Sequence, residues 1–350
     1  MKQLTHRQYQ IYDYIRAQDS ASNNEIKKYL SQSYEDISRI TIIRDIDVLL
    51  KEKYIKRIGA GRNTKYKAYN DNLLLKYFDP EEYFKTESDN RNVTETFNFD
   101  IFEKFSGFFS NTELKKLNQL TKEYQHNISK ISLAIYHKEI ERLTIELSWK
   151  SSQIEGNTYS LLDTEALIRE YREAPGHNKE EAVMILNHKK ALDYIFSNTK
   201  DYKKITVRKI EDIHRLLVDK LAIDYGLRNS IVSITGTKYR PLDNKQQIKE
   251  ALENAIRIIN QYKDPFHKAL TSILLLSYIQ PFVDGNKRTS RLVGNAILSA
   301  QNACSLSYRS TDSVDYKKAM ILFYEQNSIN YFKDLFIKQY EFSVKNYFLS

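Results

Sequence analysis

Only 5 prolines and 9 glycines punctuate 350 residues, so across most of the chain nothing stops a helix once it has started. The apolar spacing uses that freedom. Leu133, Tyr136, Ile140, Leu143 and Leu147 recur at alternating steps of three and four, and Ile248, Leu252, Ala255 and Ile259 do nearly the same. Each set makes one buried stripe on a helix, and the first also fits a short coiled coil. A mainly α fold is expected, with room for two domains and a sizeable core. The single cysteine, Cys304, can form neither an internal disulfide nor a cysteine-based zinc site, and reads as core filler in a reducing compartment. The first ten residues hold no apolar signal stretch, and the apolar run 273–276 is far too short to cross a bilayer. These features point to a cytoplasmic protein with no membrane partner.

Residues 1–69 are expected to form three helices at 5–18, 23–30 and 38–53, then a hairpin at 54–69, the order of a winged helix-turn-helix of α/β type. On the third helix Ile42, Ile46, Leu49 and Leu50 share a face, which leaves Arg44 opposite and Ser38, Arg39 and Thr41 at the N-terminal end. Those four positions can enter a major groove. The hairpin turns at Gly59, Ala60 and Gly61, and from Lys53 to Lys67 it carries Lys53, Lys56, Arg57, Arg62, Lys65 and Lys67 without one acidic residue. Arg57, Arg62 and Lys65 then suit a phosphate backbone. Residues 1–69 hold 8 Lys and 6 Arg against 8 acidic residues, a net +6 of the chain's +9. Duplex DNA is the favoured partner. The alternative is a winged helix used for protein contact or as a homodimer face, its lysines merely solvated. Asp79-Pro80 and the polar stretch 86–95 mark a boundary, giving a module at 1–75, a linker at 76–99 and a larger domain at 100–350.

The most specific segment is Gln280-Pro-Phe-Val-Asp-Gly-Asn-Lys-Arg-Thr-Ser-Arg291. Gly285 lets the backbone approach an anion, and Asn286 is expected to cap a helix beginning near Lys287, aiming free N–H groups and the positive helix end at one point. Arg288 and Arg291, three apart, can grip neighbouring phosphates with paired hydrogen bonds. Asp284 suits Mg2+, which keeps its waters and bridges phosphate oxygens. The bland alternative is an ordinary turn followed by surface arginines.

This segment resembles the signature of the Fic (Fido) family, a histidine followed by P-F-x-D-G-N-(G or K)-R-x-x-R, and departs from it only at Gln280, where the family has its catalytic histidine. The resemblance implies nucleotide-binding roles for Gly285, Asn286, Lys287, Arg288 and Arg291, and a metal role for Asp284. Lysine at 287 occurs in relatives of differing chemistry and does not fix the transferred group. Two further segments fit. Ser151-Ser-Gln-Ile-Glu155-Gly156 is similar to the family's inhibitory motif, on a helix expected near 140–157. There the glutamate takes the second arginine of the loop, here Arg291, from the nucleotide's terminal phosphate. By its residues alone it is equally a helix end with Gly156 at the cap. The run 231–242, turning at Thr235, Gly236 and Thr237 after Gly226-Leu-Arg-Asn, looks like the family's β-hairpin flap, which aligns a target segment by strand addition. Any buried hairpin would look similar.

The resemblance covers roughly residues 100–350 and implies a helical Fic domain with a small hairpin flap. It further implies ATP with Mg2+ and transfer of AMP to a Ser, Thr or Tyr hydroxyl of a protein target or of the chain itself. Gln280 is a doubtful base, because its amide takes up no proton near neutral pH. A catalytically silent regulator, sensing nucleotide while its winged helix controls a promoter, is the alternative. Transfer of another phosphate-containing group is a third.

Overall fold

The structure, a computed structural model, describes residues 4–52, 54–68 and 73–350. Three helices open it: α1 (His6–Ala17), α2 (Asn23–Leu30) and α3 (Arg39–Lys51). An antiparallel pair follows, β1 (Ile55–Ile58) with β2 (Lys65–Ala68), in the expected order. Lys53 and Tyr69 lie outside the described residues, as does the side chain of Arg62. Ser22 starts α2 with a capping box, accepting from the Glu25 N–H while Glu25 accepts from the Ser22 N–H at 2.7 Å. Ile42, Ile46 and Leu49 are buried as expected, in a small core with Ile11, Tyr12, Ile15 and Ile26. Leu50 is only half-buried; the fourth buried position on α3 is Asp45, held by Arg7 Nε at 2.6 Å and Gln8 Nε2 at 2.9 Å. A buried carboxylate is tolerable because both oxygens are bonded.

The larger body contains α4 (Pro80–Tyr83), α5 (Ile101–Lys104), α6 (Asn111–Lys130), α7 (Leu133–Ile154), α8 (Leu161–Glu170) and α9 (Lys179–Ser197). It continues with α10 (Val207–Val218), α11 (Lys245–Gln261), α12 (Pro265–Ile279), α13 (Asn286–Ala300), α14 (Ser313–Gln326) and α15 (Asn330–Asn346). Every residue of α12 from Phe266 to Ile279 is buried, as its all-round apolar surface requires. Asp264 caps it and Pro265 takes the first turn, where no N–H is needed. α13 lies against α12 at the centre. Gly294 permits that closeness, since a Cβ there would stand 2.7 Å from the Ile273 side chain. The α11 stripe Ile248, Leu252, Ala255 and Ile259 is fully buried, and so is Cys304. Leu133, by contrast, is exposed; Tyr136 and Ile140 pack partly buried against the core, and Leu143 and Leu147 are fully buried in it.

Residues 76–99 are not a free linker. Tyr77 stacks on Tyr9 at 4.1 Å, Phe97 enters the main core, and Arg91 is buried against Glu325 at 3.0 Å. Within it, residues 86–95 carry few large apolar side chains, but their polar groups find partners on the larger body, which lets a polar segment pack. Among the described residues, no helix is long and apolar enough to cross a membrane.

Candidate functional site

α12 ends at Gln280, whose backbone is left-handed with φ +49°. That turn is held from outside: Arg228 Nε donates to the Gln280 carbonyl at 2.6 Å and the Arg228 N–H to that of Pro281 at 3.0 Å. The amide of Gln280 turns back to its own helix, Nε2 donating to the Ser277 carbonyl at 2.7 Å. Six residues on, Asn286 ties the loop shut: its Nδ2 donates to the Phe282 carbonyl at 2.8 Å and its Oδ1 accepts the Phe282 N–H at 2.9 Å. Asn286 is therefore not the helix cap expected from sequence. The cap position belongs to Gly285 at φ +77°, and Asn286 is the first helical residue. The effect is the same. The first N–H groups of α13 lack intrahelical partners and, with the helix dipole, face the loop's concave side.

Three cations of α13 differ in what they touch. Arg288, 2 % exposed, pairs through Nη2 with the carboxylate of Asp284 at 3.3 Å, while its buried Nη1 has no hydrogen-bond partner. Arg291, fully buried, donates Nε to Ser151 Oγ at 3.0 Å, Nη2 to the Ser151 carbonyl at 2.9 Å and Nη1 to Glu155 Oε1 at 2.9 Å. Its guanidinium also lies over the Tyr316 ring at 5.2 Å. Lys287 Nζ takes the other oxygen of Glu155 at 3.2 Å. Ser151 and Glu155 are one turn apart on α7, which is why both reach α13. Gly156, at φ +102°, then reverses the chain just past the helix end. Burial alone would raise the Glu155 carboxyl, but the Arg291 and Lys287 cations overcome it and hold its pKa down to about 2.

A cavity of about 390 Å3 opens in front of these groups, walled by Glu155, the loop 283–288, residues 232–235 and α14 through Tyr316, Met320 and Tyr324. Gln280, Thr235, Asp284, Gly285, Asn286, Lys287 and Arg288 all line it. Asp284 is largely exposed at the cavity's edge. A single such carboxylate suits Mg2+ shared with a bound phosphate, and among the described residues no cluster of three or more His, Cys, Asp or Glu forms a protein-only cage.

Residues 231–242 turn at Thr235 and Gly236 as expected, with Thr237 Oγ1 accepting from the Tyr239 N–H at 3.1 Å, but they form no hairpin. Among the described residues the only strand ladder is β1–β2. Here the backbone is bonded elsewhere: Arg228 takes the Ser230 and Leu242 carbonyls, Arg91 takes that of Gly236, and Arg240 bridges Thr96 in parallel. Sequence reasoning also overlooked His214. Its Nε2 donates to the Asp284 carbonyl at 3.0 Å, its ring stacks on Phe282 at 3.8 Å, and burial presses its pKa down to about 4. Tyr316 and Tyr324 of α14 also wall the cavity, and their spacing in sequence gives no sign of it.

In the N-terminal module, Ser38 caps α3 by accepting from the Thr41 N–H at 3.1 Å, and its hydroxyl meets that of Thr41 at 2.9 Å. Arg39 and Arg44 are exposed, with Ile40 and Ile43 between them also exposed. Arg57 and Lys65 are exposed on neighbouring strands, Lys65 opposite Ile58.

The architecture around this loop is that of a Fic fold. Fic-1 from Caenorhabditis elegans superposes with a TM-score of 0.58 at 21 % identity, covering 67 % of this chain and 71 % of that one. A Fic domain containing signaling protein from Bacteroides thetaiotaomicron gives 0.55 at 18 %, covering 66 % and 94 %. Residues 204–298 match the Fic/DOC family. The "Protein adenylyltransferase Fic" of Nematostella vectensis is 32 % identical over 178 residues, 48 % of this chain and 40 % of its own length. "Protein adenylyltransferase fic-1" of C. elegans is 24 % identical over 191 residues, 53 % and 37 %. The chain thus spans about two fifths of the length of the curated relatives it matches.

Proposed function

We propose that the cavity binds ATP, its phosphates cradled by the N-terminus of α13, Lys287, Arg288 and Arg291, and that Glu155 holds the cavity closed to them. The observation that carries this reading is the pair of buried arginines at one helix start: Arg288 with an unpartnered Nη1, and Arg291 with a carboxylate where an anion would sit. A helix interior does not keep two guanidinium groups dry without an anionic partner. Asp284 would hold Mg2+, which supplies charge neutralisation on the phosphates.

The reaction proposed is AMP transfer to a Ser, Thr or Tyr hydroxyl of a protein, or of the chain itself, as the relatives' names suggest. The hydroxyl oxygen bonds to the α-phosphorus, the bond to the bridging oxygen breaks, and pyrophosphate leaves. The hydroxyl proton must be lost. Gln280 cannot accept it, and its amide is already bonded to Ser277, so transfer is slow while nucleotide binding is intact. General-base catalysis is worth roughly 10²- to 10⁴-fold. The N-terminal module binds duplex DNA through its net +6 surface.

Gln280 also favours a second reading, in which the Fic domain only senses nucleotide and the DNA-binding module is the output. Incubation with labelled ATP and Mg2+ separates the two. The Glu155→Gly/Gln280→His chain is expected to gain the mass of AMP on itself or on a lysate protein, and wild type to gain little or none. Binding of ATP by both without labelling of either would favour the sensor. Labelling by wild type at the double variant's rate would mean that the proton leaves by another group.

A further inference from the structure

Residues 231–242 cross the mouth of the cavity without a ladder of their own, so their position is imposed by what grips them. Much of that grip comes from residues 83–96. The Arg240 N–H donates to the Glu95 carbonyl at 2.7 Å, and Lys238 Nζ lies 3.5 Å from Glu95 Oε1 and 3.3 Å from the Asp89 carbonyl. At the turn itself the contact is a single side chain. Arg91, 6 % exposed, donates Nη2 to the Gly236 carbonyl and, at 3.0 Å, to Glu325 Oε1, with Nη1 3.4 Å from the Thr86 carbonyl. Its guanidinium lies 5.1 Å from the Phe84 ring centre. Glu325, with a fully buried side chain, is fixed in turn by the Tyr83 hydroxyl at 2.6 Å, and its carbonyl accepts the Thr94 N–H at 3.0 Å.

Glu325 directly follows Tyr324 and lies one turn beyond Ile321, both of which wall the cavity. Gly236 follows Thr235, which lines the opposite lip, and a Cβ at Gly236 would come within 3.4 Å of Ile321 Cδ1. One planar guanidinium therefore ties the lip to the wall at a point where Gly236 lies close to the Ile321 side chain.

We infer that Arg91 is a positioning residue for the cavity: by bridging the Gly236 carbonyl and the Glu325 carboxylate it sets the height of residues 232–235 over the nucleotide site. A fixed fork serves two acceptors in one plane; a lysine ammonium carries the charge but not that geometry. The inference also makes the connector part of the site, since residues 83–96 join the N-terminal module to the lip. Its consequence for nucleotide rests on the function proposed above, while the positioning itself does not.

The test is amide hydrogen exchange on the full chain, comparing wild type, Arg91→Lys and the double variant Arg91→Met/Glu325→Met. The double variant removes both charges, so no carboxylate is left buried and unpaired. In both variants amides in 231–240 are expected to exchange at least about tenfold faster, the factor for losing one charge-assisted hydrogen bond, with α12 and α13 unchanged. Protection of 231–240 equal to wild type in either variant would overturn the inference, and so would acceleration shared equally by α13, which would mark general loosening. ATP titration of Glu155→Gly runs alongside: absence of binding there would sink the nucleotide reading and leave the exchange result to decide Arg91's role.

Discussion

Glu155 Oε1 lies 2.9 Å from Arg291 Nη1, and the same guanidinium spends its other two donors on Ser151. All three nitrogens of Arg291 are thus engaged while α7 stays in place. Lys287, on the other oxygen of Glu155, is half committed as well. Of the three loop cations only Arg288 keeps a buried guanidinium nitrogen without a partner, so on the proposed function the closed cavity offers phosphates an incomplete set of donors.

The Glu155 clamp is expected to be insensitive to pH over the ordinary range. Its folded pKa of about 2 is depressed below the usual carboxyl value of 4.5, so the stability it contributes is fully present above pH 4.5 and is lost as pH falls toward 2. The ratio of ATP affinities between Glu155→Gly and wild type is therefore expected to stay constant from pH 8 to about pH 5. A ratio that collapses between pH 7 and 5 would mean that Glu155 is not held by its two cations in solution.

Arg288→Ala, made in the Glu155→Gly background, is expected to weaken ATP binding by about 10- to 100-fold, the worth of one or two charge-assisted hydrogen bonds. The substitution leaves Asp284 exposed to solvent, so melting temperature serves as the control for folding. Unchanged ATP affinity would mean that the phosphates do not reach the start of α13.

For the N-terminal module, affinity for duplex DNA is expected to fall steeply and linearly in log–log form with salt, because the nominated contacts are largely to phosphates. Neutralising Arg57, Arg62 and Lys65 together is expected to reduce the slope by about 3, near 0.9 for each lost contact. An electrophoretic retention series from about 50 to 200 mM salt measures it. Absence of any retention at low salt would turn the module into a protein-contact device.

Much of this architecture was legible from residue spacing. The α11 stripe and the α2 and α3 boundaries follow from periodicity and capping residues, which act over one or two turns. The anion-cradle reading of the loop 280–291 follows from its own residues, but its pairing with Ser151 and Glu155 was legible only through resemblance, because no local rule links residues 140 positions apart. Three readings were wrong. Asn286 was read as a cap because asparagine suits that role, whereas its side chain can equally close a loop on Phe282, and Gly285 supplies the cap conformation. The lip was read as a hairpin because residues 231–242 have strand-like composition, but Arg91 and Arg228 satisfy its carbonyls from outside. Residues 86–95 were read as a linker because they lack apolar side chains, and their partner Glu325 lies more than two hundred residues away on α14. All three errors concern polar side chains that bond backbone or carboxylate groups outside regular elements, which sequence periodicity does not encode.

Titration calorimetry of ATP with Mg2+ into wild type and Glu155→Gly tests the central claim most directly. The substitution frees Arg291 and Lys287 and removes a carboxylate from beside the terminal phosphate, so affinity is predicted to rise at least about tenfold, with the gain abolished when Arg291 is also replaced by Met. Equal affinity in wild type and Glu155→Gly would contradict it, because the contact between Glu155 and Arg291 would then have no bearing on the nucleotide.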